Sequence, residues 1–193
     1  DICENEKEQR IVRKIPCTDA SVQHLKKIKS NQSTLDQVFA GTNVRINRCK
    51  MENDQLLLEY LEGITLDNLM EKLLETGNTK GALALVHEYK NIILQSYVGV
   101  DKTYTKEFYE VFGHVCLPDN LVWVNNLDVD LIFSNIIVTN SLWNVIDYEW
   151  TFEFPIPINF LFYRATNCFV FGNVQRIQMI EKELYREFNI SEE

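Results

Sequence analysis

The chain has 193 residues, 46% hydrophobic and 24% charged, enough apolar surface for one sizeable core or two lobes sharing one. Acidic residues outnumber basic ones 28 to 19, for a net charge of -9, so the basic footprint of a nucleic-acid binder is absent. Apolar runs are broken by Asn or Pro well short of the ~20 residues that a membrane span needs. The five cysteines are scattered without a CxxC pair and read as free thiols in a reducing, cytoplasmic setting. The acidic start Asp1-Ile2-Cys3-Glu4, without Met, is not a secretory leader and reads as a point inside a longer polypeptide with an upstream domain.

Arg10 to Ile15 alternates as a strand that Pro16 stops. Thr18 is placed to cap a helix with Val22, Leu25 and Ile28 on one face, and a second short helix is expected from Ser33 to Gly41. Val44 and Ile46 mark another strand, residues 50–54 a polar turn, and Leu56 to Tyr60 a compact strand that shares a sheet with Val44 and Ile46. After Gly63 the period changes from two to 3.6. Thr65 opens a helix carrying Leu66, Leu69, Met70, Leu73 and Leu74. Thr79 opens a longer one with Leu83, Val86, Tyr89, Ile93 and Tyr97, and Thr105 a third with Phe108 and Phe112. Residues 136–138 and 143–146 flank Thr139-Asn140-Ser141 and predict a hairpin. From Asn173 the pattern is helical again, with Ile177, Ile180, Leu184 and Phe188 on one side. Strands followed by helices predict an α+β fold with a boundary at Glu62-Gly63.

Several common sites are missing: there is no G-x-S-x-G, no H-E-x-x-H, no phosphate loop, no G-x-G, and the three histidines have no evident partners. The informative stretch is Asn126 to Trp150. Asp130 and Asn135 stand with four residues between them, and Asp147 leaves the far strand of the hairpin, so the hairpin can bring all three to one spot. Two carboxylates and an amide oxygen suit Mg²⁺ bound to phosphates. The same residue types also serve simply to cap turns around a hairpin, and spacing alone leaves both readings open.

Asp130-x-x-x-x-Asn135, the hairpin and Ile146-Asp147-Tyr148-Glu149 resemble the catalytic loop and metal-binding Asp of the protein-kinase-like superfamily, in its aminoglycoside and choline phosphotransferase branch. The stretch is similar, too, to kinase-like domains encoded with methyltransferases or glycosyltransferases in bacterial cell-surface polysaccharide and lipopolysaccharide biosynthesis, with Phe154-Pro155-Ile156-Pro157 following the Asp-Tyr-Glu-Trp block. The resemblance implies a two-lobed fold, with residues 1–62 a reduced N-terminal lobe and 63–193 a helical C-terminal lobe. It implies ATP and Mg²⁺, with Asp130 as the base, Asn135 and Asp147 on the metal, and Lys14 on the phosphates. Glu59, Tyr60 and Leu61 would form the hinge that faces the adenine, and Glu149 would assist at the metal or the acceptor. For Lys14 a solvated strand charge is the other reading. Three departures stand out: Asp128 replaces the usual His, no Glu lies on the helix after Lys14, and no Gly-rich strand pair precedes it. Phosphoryl transfer to a small hydroxylated acceptor such as a sugar or polysaccharide precursor is the first expectation. A pseudokinase or binding module attached to a polysaccharide-assembly enzyme is the second.

Overall fold

A computed structural model describes residues 2–4 and 10–190. The front of the chain holds five short strands and one long helix: β1 (Ile2–Glu4), β2 (Arg10–Lys14), α1 (Asp19–Val38), β3 (Val44–Ile46), β4 (Cys49–Glu52) and β5 (Gln55–Glu59). Thr18 caps α1, its hydroxyl accepting the Ser21 N–H at 3.2 Å. The separate helix expected after Ser33 does not form, and α1 runs unbroken to Val38. Asn31 and Gln32 could have competed for the local backbone, but their amides reach distant main chain instead, Gln32 also bonding the side chains of Lys29 and Asp36 on its own helix. Asn31 Nδ2 donates to Tyr148 O at 3.0 Å, and Gln32 Oε1 accepts the Cys49 N–H at 3.3 Å. The expected turn over residues 50–54 shrinks to Asn53 and Asp54, both at positive φ as a tight hairpin requires, and Cys49–Glu52 is strand.

Beyond Gly63 come β6 (Ile64–Thr65), α2 (Leu66–Glu75), α3 (Thr79–Ser96), β7 (Gly99–Val100), α4 (Lys106–Phe112), β8 (Trp123–Val124) and β9 (Leu127–Asp128). A 3₁₀ turn at Phe133–Asn135 leads into β10 (Ile136–Thr139), β11 (Leu142–Val145), β12 (Thr151–Phe152), β13 (Ile156–Pro157), α5 (Ile158–Phe171) and α6 (Val174–Phe188). The side chain of Ile177, expected on the inner face of α6, lies outside the described residues. The mixed α+β class is as the sequence predicts.

Sheet partners differ from expectation. The front sheet is antiparallel, in the order β1-β2-β5-β4. Val44–Ile46 is not in it, although β4 begins only a few residues later. It pairs in parallel with β11, Val44 opposite Trp143 and Ile46 opposite Val145, in the sheet β3-β11-β10-β6. Glu62-Gly63 is therefore a change of period and not a division between sheets. The hairpin predicted around residues 139–141 is β10–β11, turning through Asn140 and Ser141 at positive φ.

Residues 158–171, for which the sequence predicts no element, form α5. This helix is apolar nearly all round, burying Leu161, Phe162, Ala165, Phe169 and Val170, and such a helix belongs at the centre of a core. The Tyr89 ring of α3 stands edge-on to Phe133, Phe162 and Phe188, with centroids 5.0, 6.2 and 6.1 Å away. Edge-to-face pairs add about 0.5–1.5 kcal/mol beyond area burial. The Tyr89 hydroxyl donates to Leu131 O at 2.7 Å, which ties this core to the loop carrying Asp130.

Candidate active site

The loop from Asn126 to Asn135 is held at every step. Asn126 takes a positive φ, Asp128 pairs with Thr151, and the Val129 N–H donates to Trp150 O at 3.1 Å. The Asp130 N–H donates to Asp128 Oδ1 at 3.1 Å, Asn135 Nδ2 to Asp130 O at 2.9 Å, and the Ile146 N–H to Asn135 O at 3.0 Å. Asp130, Asn135 and the start of the Asp147 segment thus form one hydrogen-bonded chain. Asp147 lies close enough to Asp130 to feel its charge. Burial first, then Glu149 and Asp130, raise the Asp147 pKa, against the opposing pull of Lys14.

Lys14, at the end of β2, reaches across to this cluster. Its ammonium donates to Asp147 Oδ1 at 3.3 Å and makes a close ion pair with Glu149 Oε1. Burial lowers the Lys14 pKa, but the bond to Glu149 and the charges of Asp147 and Glu149 outweigh it and leave it raised. Glu149 shows the converse: burial raises its pKa, and Lys14 and His24 bring it below the ordinary value. The partner of Lys14 is therefore Glu149, from the segment after β11 rather than from the helix. Helix α1 still takes part, because His24 Nε2 lies 3.2 Å from Glu149 Oε2 and the buried Asn31 amide holds Tyr148 O. The expectation that the histidines have no partners fails at His24 and at His87, whose Nδ1 lies 3.2 Å from Glu187 Oε1.

The hinge expectation narrows. Glu59 is exposed, and its main-chain groups are engaged inside the front half: its N–H donates to Arg48 O at 3.2 Å and its carbonyl accepts Asn47 Nδ2 at 2.9 Å. Tyr60 and Leu61 lie half-buried just beyond β5. The Arg10 guanidinium lies over the Tyr60 ring, 5.5 Å from its centroid.

Two further residues shape the site. Asp128 is 0% exposed, and its Oδ2 has no hydrogen-bond partner among the described residues. Burial, then the charges of Asp130 and Asp147, push its carboxyl well above the ordinary range, against the stabilising Asp130 N–H. Arg164, from α5, donates Nε to Val129 O at 2.9 Å and pairs through Nη2 with Asp130 Oδ1. The signal for Arg164 was present in the sequence, since it is the one charged residue in the apolar run Ile158 to Phe171. The signal for Asn31 was a polar residue at the spacing of Ile28 and Leu35, on the buried face.

Among the described residues no group of three His, Cys, Asp or Glu side chains is arranged to hold a metal ion. A divalent cation bound largely through phosphates and water needs fewer protein ligands, and the donors suit it. The Asn135 amide nitrogen is engaged by Asp130 O, which leaves its carbonyl oxygen as the ligand atom, and Asp147 supplies a carboxylate. Among the described residues no helix is long and apolar enough to cross a membrane. No family model matches the chain, and no curated protein matches it.

Proposed function

We propose that the chain is a two-lobed, kinase-like phosphotransferase, with the β1-β2-β5-β4 sheet as the reduced front lobe, that moves a phosphoryl group from ATP to a small hydroxylated acceptor. The observation that carries this reading is the meeting of Lys14 with Asp147 and Glu149 beside the hydrogen-bonded chain Asp130–Asn135–Ile146. These residues come from distant parts of the sequence, and their meeting supports the reading that the motif resemblance suggests. A Mg²⁺ ion, when bound, neutralises charge on the phosphates, and Asn135 and Asp147 would hold it. Lys14 orients the phosphates, with Glu149 keeping its ammonium in place. Asp130 takes the proton of the acceptor hydroxyl as the acceptor oxygen bonds to the γ-phosphorus. The bond from that phosphorus to the bridging oxygen breaks, and ADP leaves. Tyr60 and Leu61 are the groups available to an adenine.

Arg164 favours a second reading, because its ion pair with Asp130 engages the base. A nucleotide-binding module without turnover, attached to a polysaccharide-assembly enzyme, would keep the Lys14 and Asp147 cluster and have no use for a free Asp130. Calorimetric titration of ATP with and without Mg²⁺, together with an ADP-release assay, separates the two. Asp147→Asn should abolish the Mg²⁺-dependent part of binding. Asp130→Asn should bind normally while turnover falls on the order of 10²–10⁴-fold. Binding without any parent turnover selects the module, and no ATP binding by the parent chain refutes both readings.

A further inference from the structure

The back half carries an open, solvent-facing cavity of about 470 Å³ between α4, the segment that follows it and the start of α5. Phe108, Phe112 and Phe160 give it aromatic walls, and among the described residues no Asp, Glu, Lys, Arg or His lines it. Its polar edge is neutral, formed by the carboxamides of Asn159 and Asn189 and the phenol of Tyr163. A phosphate or nucleotide would lie there without a counter-charge, and a free sugar would turn hydroxyls towards phenyl rings that cannot hydrogen-bond them. An uncharged hydrocarbon group with one or two polar atoms fits both the lining and the volume, which falls in the range of small-molecule pockets, roughly 300–1,000 Å³.

The place of the cavity gives it a role. Phe160 and Arg164 lie one turn apart on α5, about 5–6 Å between their Cβ atoms. Arg164 is the residue that grips Val129 O and the Asp130 carboxylate. Phe160 and Tyr163 therefore face the cavity from the same stretch of helix that anchors the base. Resting on the phosphotransfer reading above, we propose that this cavity seats the apolar part of the acceptor, which makes the acceptor an amphipathic alcohol, a hydroxyl joined to an isoprenoid or aryl group, and not a free sugar.

The test uses the full chain with two uncharged probes: N-phenyl-1-naphthylamine, a dye that fluoresces in apolar sites, and farnesol, an isoprenoid alcohol. The dye should bind saturably at one site and farnesol should displace it. Val115 and Tyr163 line the cavity and are 42% and 48% exposed, so Val115→Trp, which fills the space, and Tyr163→Asp, which charges its edge, should both leave the circular dichroism spectrum unchanged. Each variant should weaken both probes by about tenfold or more, a loss well above titration error. ATP–Mg²⁺ affinity should be the same in all three proteins, and ADP release should be faster with farnesol than with glucose. Non-saturable dye binding, failure of farnesol to displace it, or unchanged affinity in both variants overturns the cavity assignment. Faster turnover of glucose overturns the acceptor class. If ATP–Mg²⁺ does not bind the parent at all, the phosphotransfer reading falls and the acceptor role falls with it; dye binding, which needs no nucleotide, tells that failure apart from failure of the cavity itself.

Discussion

Replacing Lys14 by Met removes the ammonium that lies between Asp147 and Glu149 and leaves two half-buried carboxylates facing each other. From the sequence alone, with no helix glutamate to hold it, Lys14 is expected to be loosely placed and its loss almost neutral for folding. The structure predicts otherwise. At 3.3 Å and an effective dielectric near 20, the attraction of Lys14 to Asp147 alone is about 5 kcal/mol before desolvation. Burying the ammonium offsets much of that, and the 26% and 40% exposure of the two side chains screens it further. The net loss expected for Lys14→Met is about 1–2 kcal/mol, below the 3–5 kcal/mol of a fully buried pair. Its pH dependence has a definite sign. Lys14 has a raised pKa in the fold, so its contribution is complete below its unfolded pKa and disappears only in strong alkali. Glu149 has a lowered pKa, so its share is present above its unfolded value and lost as the pH falls through its folded one. Urea unfolding at pH 7 should show the full loss, and in acid below the folded pKa of Glu149 a smaller one. A cycle with Glu149→Gln should give a coupling of about 1 kcal/mol. An unchanged urea midpoint at pH 7, or an equal loss at both pH values, would refute the pairing.

Asp128→Asn should flatten part of the pH dependence of stability: a buried acid with a raised pKa stabilises the fold while protonated and loses that stability as the pH rises towards its folded pKa, by at most about 1.4 kcal/mol per unit. Urea midpoints from pH 5 to 8 that fall equally in parent and variant would contradict it. Tyr89→Phe leaves Leu131 O without its donor and should cost about 1–2 kcal/mol in thermal or urea unfolding while the core packing stays intact. Gly63→Ala would set a Cβ 2.5 Å from Ile137 Cγ2 and 2.9 Å from Thr139 Cγ2, so a loss of about 1–3 kcal/mol is expected, and wild-type stability would mean that β6 and β10 are not packed so closely.

What could be read in advance depended on how local the cause was. Helices α2, α3, α4 and α6 and the β10–β11 hairpin carry their own periods and turn residues, so they were legible, and with them the convergence of Asp130, Asn135 and Asp147. Helix α5 has apolar residues on every side and so no period to read. The partner of Lys14 comes from a segment more than half the chain away, and no sequence spacing encodes such a meeting. The same holds for Val44–Ile46: alternation announces a strand but says nothing about which edge it joins. The bond from Asn47 to the Glu59 carbonyl is likewise invisible in the sequence, because Asn47 is a polar residue buried by the fold and not by its local pattern.

The parallel pairing of β3 with β11 bears on how the chain is made. During synthesis Val44–Ile46 emerges long before Leu142–Val145 exists, and so does Asn31, whose acceptor is Tyr148 O. Until then the strand edge and the amide have only water to bind, and the front sheet rests on a helix that is not yet anchored. Non-local contacts of this kind fold late, because loop closure must precede any gain from them. A chain arrested before Trp143 should therefore present an unpaired apolar edge at Val44 and Ile46, open to strands of other molecules. Release of the hairpin from the ribosome is then the event that both completes the second sheet and withdraws that edge from its neighbours.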